Sequence, residues 1–273
     1  MLALGFTFMF GVARVINLAQ GAFFMVSAYF MYIFISLLQL NIPLSIALTI
    51  ILAGAIGVVA YQLLIRRIEE YHATVILITL AIALVLQEVI LLIFGGFYRS
   101  AEPFIPGTTI LLGIDILNQY LLTLGVVSVC LVGTGVFLYK TKTGLAIRSV
   151  AQDREIANVM GINVGRVYLI AMGLGAALAG IAGALIAPIY TLSPGMGWHP
   201  LVMMLAVVVL GGLGSIKGSV SGAFILALVE AAVVFLLPMG SFLKGAVALA
   251  IVIAVLLIRP EGLFGIVFEE ERL

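Results

Sequence analysis

Charge is what this sequence has least of. Only 9% of its 273 residues are Asp, Glu, Lys or Arg, against 64% that are apolar, whereas soluble domains carry about 25% charged and about 45–50% apolar residues. A chain this poor in charge cannot cover a water-facing surface, which excludes an ordinary soluble enzyme. Thirteen cations against twelve anions give a net charge of +1, far from the basic balance of a nucleic-acid binder, so no nucleic-acid partner is expected. There is one cysteine, Cys130, so no intrachain disulfide can form; its place in the apolar run VVSVCLVGTGVF fits a small packed residue. The N-terminus has no basic stretch followed by a small-residue cleavage site, so no cleavable signal peptide is expected.

Catalytic and nucleotide motifs are missing as well. In GGLGSIKGS, Lys217 precedes Gly218, so the phosphate loop G-x-x-x-x-G-K-[ST] is not made. Neither H-E-x-x-H nor G-x-S-x-G occurs. The sequence therefore implies no cofactor, no metal site and no nucleophile of its own.

What it has is apolar length. Mean hydropathy is +1.33, and candidate spans read as 1–13, 22–40, 44–65, 74–94, 117–139, 167–190, 200–214, 220–238 and 242–258. About 20 apolar residues cross a bilayer as a helix, and these runs lack the period-two alternation of barrel strands. The expectation is an all-α polytopic membrane protein of about eight or nine spanning or partly spanning helices, one transmembrane domain over 1–273. Lys140, Lys142, Arg148, Arg154 and Arg166 crowd into one loop, and Arg66-Arg67 and Arg259 follow other spans. The positive-inside rule places these ends in the cytoplasm, together with Lys217 and the C-terminal EEERL, and puts 95–116 and 191–199 outside. His72 and His199 then lie on opposite sides and cannot share a metal.

The first segment is too short. The mostly apolar stretch from Met1 to Val12 makes a helix of only about 18 Å at about 1.5 Å per residue. Either the chain starts upstream, or residues 1–40 form a broken helix interrupted at Arg14–Gly21, where Asn17, Gln20 and Gly21 interrupt the apolar run. Irregular backbone at membrane depth is tolerated where it is buried or lines a cavity, and transporters place such breaks at the substrate site. Asn17, Gln20 and Gly21 are therefore the first candidates for a substrate pathway. Ionisable or polar groups inside spans mark second choices, Gln87 and Glu230, with Glu88 beside Gln87. Each glutamate reads equally as a protonated side chain bonded to a neighbouring helix. Arg14 and Lys244 sit near enough to span ends to snorkel. Small residues four apart, as in Ala176/Gly180, Ala179/Gly183 and Gly214/Gly218, let helices pack closely.

The loop 140–166 reads KTKTGLAIRSVAQDREIANVMGINVGR. Ile156, Val159 and Met160 recur at helical spacing, Ser149-x-x-Gln152 fits a capping box, and Gly161 suits the left-handed position after a helix. One amphipathic helix over 149–161 follows, its polar face (Gln152, Asp153, Arg154, Glu155) being either solvated or a docking knob.

Here the sequence resembles a known family. Glu155-Ile156-Ala157-Asn158-Val159-Met160-Gly161 resembles the E-A-A-x-x-x-G element by which permeases of ATP-binding-cassette importers meet their ATPases, with Ile156 for the first alanine. FGVARVINLAQGAFFMVSAY (10–29), the loop motif (141–167), GAALAGIAGAL (175–185), VVLGGLGSIKGSVSGAFILALVE (208–230) and VLLIRPEGLFG (255–265) are similar, in order, to permeases of branched-chain amino acid importers. The resemblance implies a subunit paired with a second like permease, two cytoplasmic ATPases and an extracytoplasmic binding protein, in the plasma membrane of a prokaryote. It further implies that Asp153, Arg154, Glu155, Ile156, Ala157, Val159, Met160 and Gly161 couple it to the ATPases. Members commonly carry a His and then Gly-Glu in the first motif; here Gln20 and Ala22 stand at the His and Glu positions. The family's first helix also starts upstream of Met1, consistent with a truncated or reduced first helix. Urea or short-chain amide permeases of the same superfamily are an alternative, and a proton-coupled secondary carrier using Glu88 or Glu230 is another.

Overall fold

A computed structural model describes residues 1–69, 71–111, 113–237 and 239–265. Its elements are α1 (Leu2–Ala13), α2 (Gln20–Tyr32), α3 (Ile42–Ala60), α4 (His72–Phe94), β1 (Thr108–Leu111), β2 (Ile114–Leu117), α5 (Asn118–Lys140), α6 (Lys142–Gln152), α7 (Arg154–Val159), α8 (Val164–Ile186), α9 (Trp198–Gly211), α10 (Ile216–Leu236) and α11 (Gly240–Ile258). α2 and α3 each end in a widened π-helical turn, Ile33–Leu37 and Tyr61–Ile65. Among the described residues seven helices are long and apolar enough to cross a membrane, and α1 and α9 are shorter apolar helices. This is the all-α polytopic architecture expected from the apolar runs.

The inner helices are α2 and α8, each with 61% of its span buried, against 6% for α5 and 11% for α11. Small residues explain the centre. A Cβ on Gly183 would fall on the Phe24 carbonyl oxygen of α2, and one on Gly180 would stand 2.7 Å from Ala53 Cβ of α3. Backbones that approach this closely admit no larger side chain, which is how small residues drive helix packing without a hydrophobic drive from lipid. The α9–α10 turn is built likewise: Gly211 and Gly218 face each other so that a Cβ on either would meet the other's carbonyl oxygen. Onto this turn folds the segment after α11, with Leu263 N donating to Leu210 O at 2.9 Å and Phe264 N to Gly211 O at 3.0 Å. Two of the sequence motifs, GGLG and EGLFG, are thus one packed unit.

Several buried serine and threonine hydroxyls satisfy themselves on their own helix. Ser27, Thr49 and Thr7 donate to the carbonyls four residues earlier at 2.6–2.8 Å, so a polar residue can sit in an apolar core without an orphaned group. Thr7 of α1 and Ser219 of α10 also bond to each other.

The segment 95–116, placed outside the membrane by the sequence reading, contains the antiparallel pair β1–β2, with Thr108 opposite Leu117. Two sequence expectations are corrected. The helix expected over 149–161 is two helices. Asp153, at φ −150° and ψ 117°, breaks the chain between α6 and α7. Nor does Ser149 cap: its hydroxyl donates back to Leu145 O at 3.0 Å, while Thr141 caps α6 and Asp153 caps α7. The short acidic side chain, reaching its own next-turn amide, wins over helix continuation. The C-terminal EEERL lies outside the described residues.

Candidate functional site

The break in the first motif is present. α1 ends at Ala13, Arg14 adopts the left-handed conformation (φ 51°), and the helix resumes at Gln20. Arg14, exposed, reaches the end of α6, its guanidinium donating to Gln152 O at 3.4 Å. From this turn α2 runs back through the bundle, and the irregular residues 15–19 are buried or half-buried among α1, α4, α8 and α9. That is the setting in which non-helical backbone survives at membrane depth.

Asn17 organises the break. It is 3% exposed; its Oδ1 accepts from Ala19 N at 2.9 Å, and its Nδ2 approaches the sulfurs of Met9 (3.2 Å) and Met172 (3.8 Å). Leu18 N donates to Thr79 Oγ1 of α4 at 3.2 Å. The local turn is therefore closed by side chains where the helical ladder is absent, as a buried backbone requires.

Two small cavities flank the break. The outer one is lined by Gly21, Ala22 and Met25 of α2, Ala83 and Gln87 of α4, and Gly197, Trp198 and Leu201 at the start of α9. Across it Trp198 Nε1 donates to Gln87 Oε1 at 2.6 Å. A Cβ on Gly21 would stand 2.6 Å from Gly197 O, so glycine there lets α2 and α9 touch. The inner cavity is lined by Asn17, Tyr61, Glu69, Thr79, Tyr168 and Met172 among others. Their volumes, ≈ 10 Å³ and ≈ 20 Å³, are about what one water needs. No amino acid fits either in this conformation; a larger cavity, ≈ 640 Å³, lies where Gly11, Val12 and Arg14 meet α6 and the α9–α10 turn.

The sequence candidates separate in space. Gly21 and Gln87 meet at the outer cavity and Asn17 lines the inner one. Gln20 lines neither: fully buried, it donates through Nε2 to Gly175 O at 2.9 Å and joins α2 to α8, while its Oε1 has no partner. Glu230 is on α10, outside both cavities, with Oε1 unpartnered. Glu88 is exposed on the outward face of α4, in line with exposed Leu84 and Leu92. Trp198, Tyr61, Glu69 and Tyr168 were not legible as site residues. Trp198 is the chain's single tryptophan, and Glu69 follows Arg66-Arg67 after one residue, Ile68; these are the available signals.

The loop presents a second feature. On α7, Ile156, Val159 and Met160 are 62%, 87% and 78% exposed, outside any span, whereas Ala157 turns inward. Gly161, at φ +85°, lets the chain fold back, with Gly161 N donating to Asn158 O and Ile162 N to Ala157 O at 3.0 Å each, the C-terminal arrangement that glycine favours. Asp153 is committed to its cap, accepting from Ile156 N at 2.9 Å. Arg154 is turned to the bundle, pairing with Glu69 at 3.0 Å and lying over the Tyr168 ring at 5.3 Å. Of the three polar residues expected to face a partner, Glu155 alone makes no side-chain hydrogen bond or ion pair among the described residues.

A broken, buried helix between two closable cavities, with an apolar knob on a cation-rich loop, defines a multi-pass membrane permease of the transporter kind. The sequence pattern of the family described as branched-chain amino acid transport system, permease component, matches residues 1–256, and the chain belongs to that family. It is 29% identical over 282 residues to the high-affinity branched-chain amino acid transport system permease protein BraD of Pseudomonas aeruginosa, covering 97% of this chain and 91% of the relative. It is 30% identical to the probable branched-chain amino acid transport permease LivH of Methanocaldococcus jannaschii, over 97% of this chain and 88% of the relative. With LivH of Escherichia coli it shares 26% identity over 97% of this chain and 90% of the relative. No solved structure matches significantly.

Proposed function

We propose that the chain is a permease subunit of an ATP-driven importer that carries branched-chain, hydrophobic amino acids into the cell. The observation that carries the coupling half of this reading is the knob of α7. Three large apolar side chains, Ile156 and Val159 on the six-residue α7 and Met160 just after it, stand exposed outside the membrane spans, a surface that a soluble partner covers favourably. Glu155 joins Ile156, Val159 and Met160 in meeting an ATPase subunit, while Asp153, Arg154, Ala157 and Gly161 shape and hold the knob. Two such permeases, this chain and a like one, each engage one cytoplasmic ATPase, and a binding protein delivers the amino acid from outside. The cation-rich loops and the C-terminus face the cytoplasm.

The amino acid passes the break. Backbone groups exposed at 14–19 meet its charged ends, with Asn17 beneath and Gly21 and Gln87 above; the apolar walls accept its side chain. The names of the relatives, all branched-chain amino acid permeases, support this substrate class. Because nucleotide-driven closure of the ATPases can shift the bundle only through contacts that differ between its states, the two closures at the break are where that shift must be felt.

Glu155→Ala and Gly161→Ala test the reading. Alanine at the left-handed position costs about 1–2 kcal/mol and misdirects the chain after α7. Loss of ATPase co-purification together with loss of amino acid uptake supports the coupling; wild-type behaviour in both variants contradicts it.

A further inference from the structure

We infer that Glu69 is the positioning residue through which α7 works the inner closure at the break, a role that rests on the importer reading above. Its two carboxylate oxygens serve two masters. Oε1 takes the Arg154 guanidinium at 3.0 Å, and Oε2 accepts the Tyr61 hydroxyl proton at 2.9 Å. Tyr61 is 2% exposed, stands edge-on to the Tyr168 ring with centroids 6.4 Å apart, and forms the inner cavity wall with Tyr168 and Asn17. Arg154 lies over that same Tyr168 ring. A continuous series of contacts therefore runs from the first residue of the exposed knob to the floor of the break.

Placement makes this series mechanical rather than merely adjacent. Glu69 sits in the short link between α3 and α4, whose facing ends supply Tyr61 and Ile65 on one side of the cavity and Val75 and Thr79 on the other. Thr79 in turn holds Leu18 N of the break. Displacing Arg154 thus pulls on the joint of the two helices that wall the cavity. Tyr61 also opens the π-helical turn Tyr61–Ile65, closed by Arg66 N on Tyr61 O at 2.8 Å. Such turns recur at functional sites, and this one can tighten to α-helical geometry and re-aim the Tyr61 ring. A pair 46% and 19% exposed stabilises little by itself; its worth is in linking α7 to Tyr61.

The complete importer, with both permeases, the ATPases and a leucine-loaded binding protein, is reconstituted in proteoliposomes, and leucine uptake per ATP hydrolysed is measured. Glu69→Gln leaves the α7 knob, capped by Asp153 and packed through Ala157, in place, so the ATPases remain bound and hydrolyse ATP, while uptake per ATP falls by about tenfold or more; Arg154→Gln, at a residue that helps hold the knob, is expected to show the same fall in uptake per ATP. Because both act through one bond, the double variant loses no more than either single. Tyr61→Phe, which keeps the ion pair and the ring, also lowers uptake per ATP and provides a second probe should a Glu69 variant fail to fold. Wild-type uptake per ATP in the folded single variants, or losses that multiply in the double variant, would overturn the inference. A wild-type complex that neither retains ATPases nor uses ATP for uptake would instead refute the importer reading on which it rests.

Discussion

Arg154 of α7 and Glu69 of the α3–α4 link stand 85 positions apart in sequence and 3.0 Å apart in space. With Arg154 nearly half exposed, the pair contributes no more than about 1 kcal/mol to stability. Arg154→Ala is accordingly expected to leave thermal unfolding in detergent nearly unchanged. A loss of several kcal/mol would mean that the pair is a buried structural bond, and the coupling role would lose its basis.

The knob makes a sharper demand. Covering an exposed valine fully is worth about 1.5–3 kcal/mol, so Val159→Asp, at a side chain 87% exposed in the free permease, removes that gain and adds a desolvation cost. Retention of ATPase subunits on an affinity column is expected to fall by more than about tenfold, with the variant as stable as the parent. Full retention would show that α7 is not the docking surface.

Packing at the centre yields a paired test. Gly183→Ala drives a Cβ into the Phe24 carbonyl oxygen, whereas Gly125 on α5 has nothing within 4 Å of an added Cβ. Overpacking costs about 1–3 kcal/mol, while Gly→Ala at an open helix position gains up to about 1 kcal/mol. Thermal unfolding of the two variants should therefore move in opposite directions; equal shifts would contradict the close α2–α8 contact.

The outer closure is held by Trp198 and Gln87. Trp198→Phe keeps the bulk but removes the donor of the 2.6 Å bond, a net loss of about 1 kcal/mol, or about fivefold in the balance between closed and open. In a Cys130→Ser background carrying Ala22→Cys, a residue of the outer cavity, labelling from outside by a membrane-impermeant maleimide should speed up by about that factor. An unchanged rate would place the outer closure elsewhere.

How far the sequence reaches is clear from particular residues. Apolar length gives the spans, because lipid forbids most alternatives, and cation placement groups Arg148 with Lys217, which line one cavity in the structure. The short first helix and its break are legible because a helix of twelve residues cannot cross. Gly161 is legible as a left-handed residue because little else adopts that conformation cheaply. Gln20 misleads, since a polar residue at a break looks alike whether it faces a path or, as here, staples α2 to the Gly175 carbonyl. Glu69 and Trp198 escape because their roles depend on partners 85 and 111 positions away, and periodicity records only neighbours. Asp153 escapes for a local reason, as a capping residue inside a helical pattern competes with the helix that the pattern announces.

The central claim is that this chain moves amino acids on energy supplied by partner ATPases. Uptake of radiolabelled leucine into proteoliposomes carrying the assembled importer, with ATP inside the ATPase-accessible compartment and binding protein on the other side, tests it directly. Uptake should require ATP and persist when a proton uncoupler is added. Uptake that survives ATP depletion and collapses with the uncoupler would contradict the account and turn attention to Glu230 and Glu88 as proton carriers.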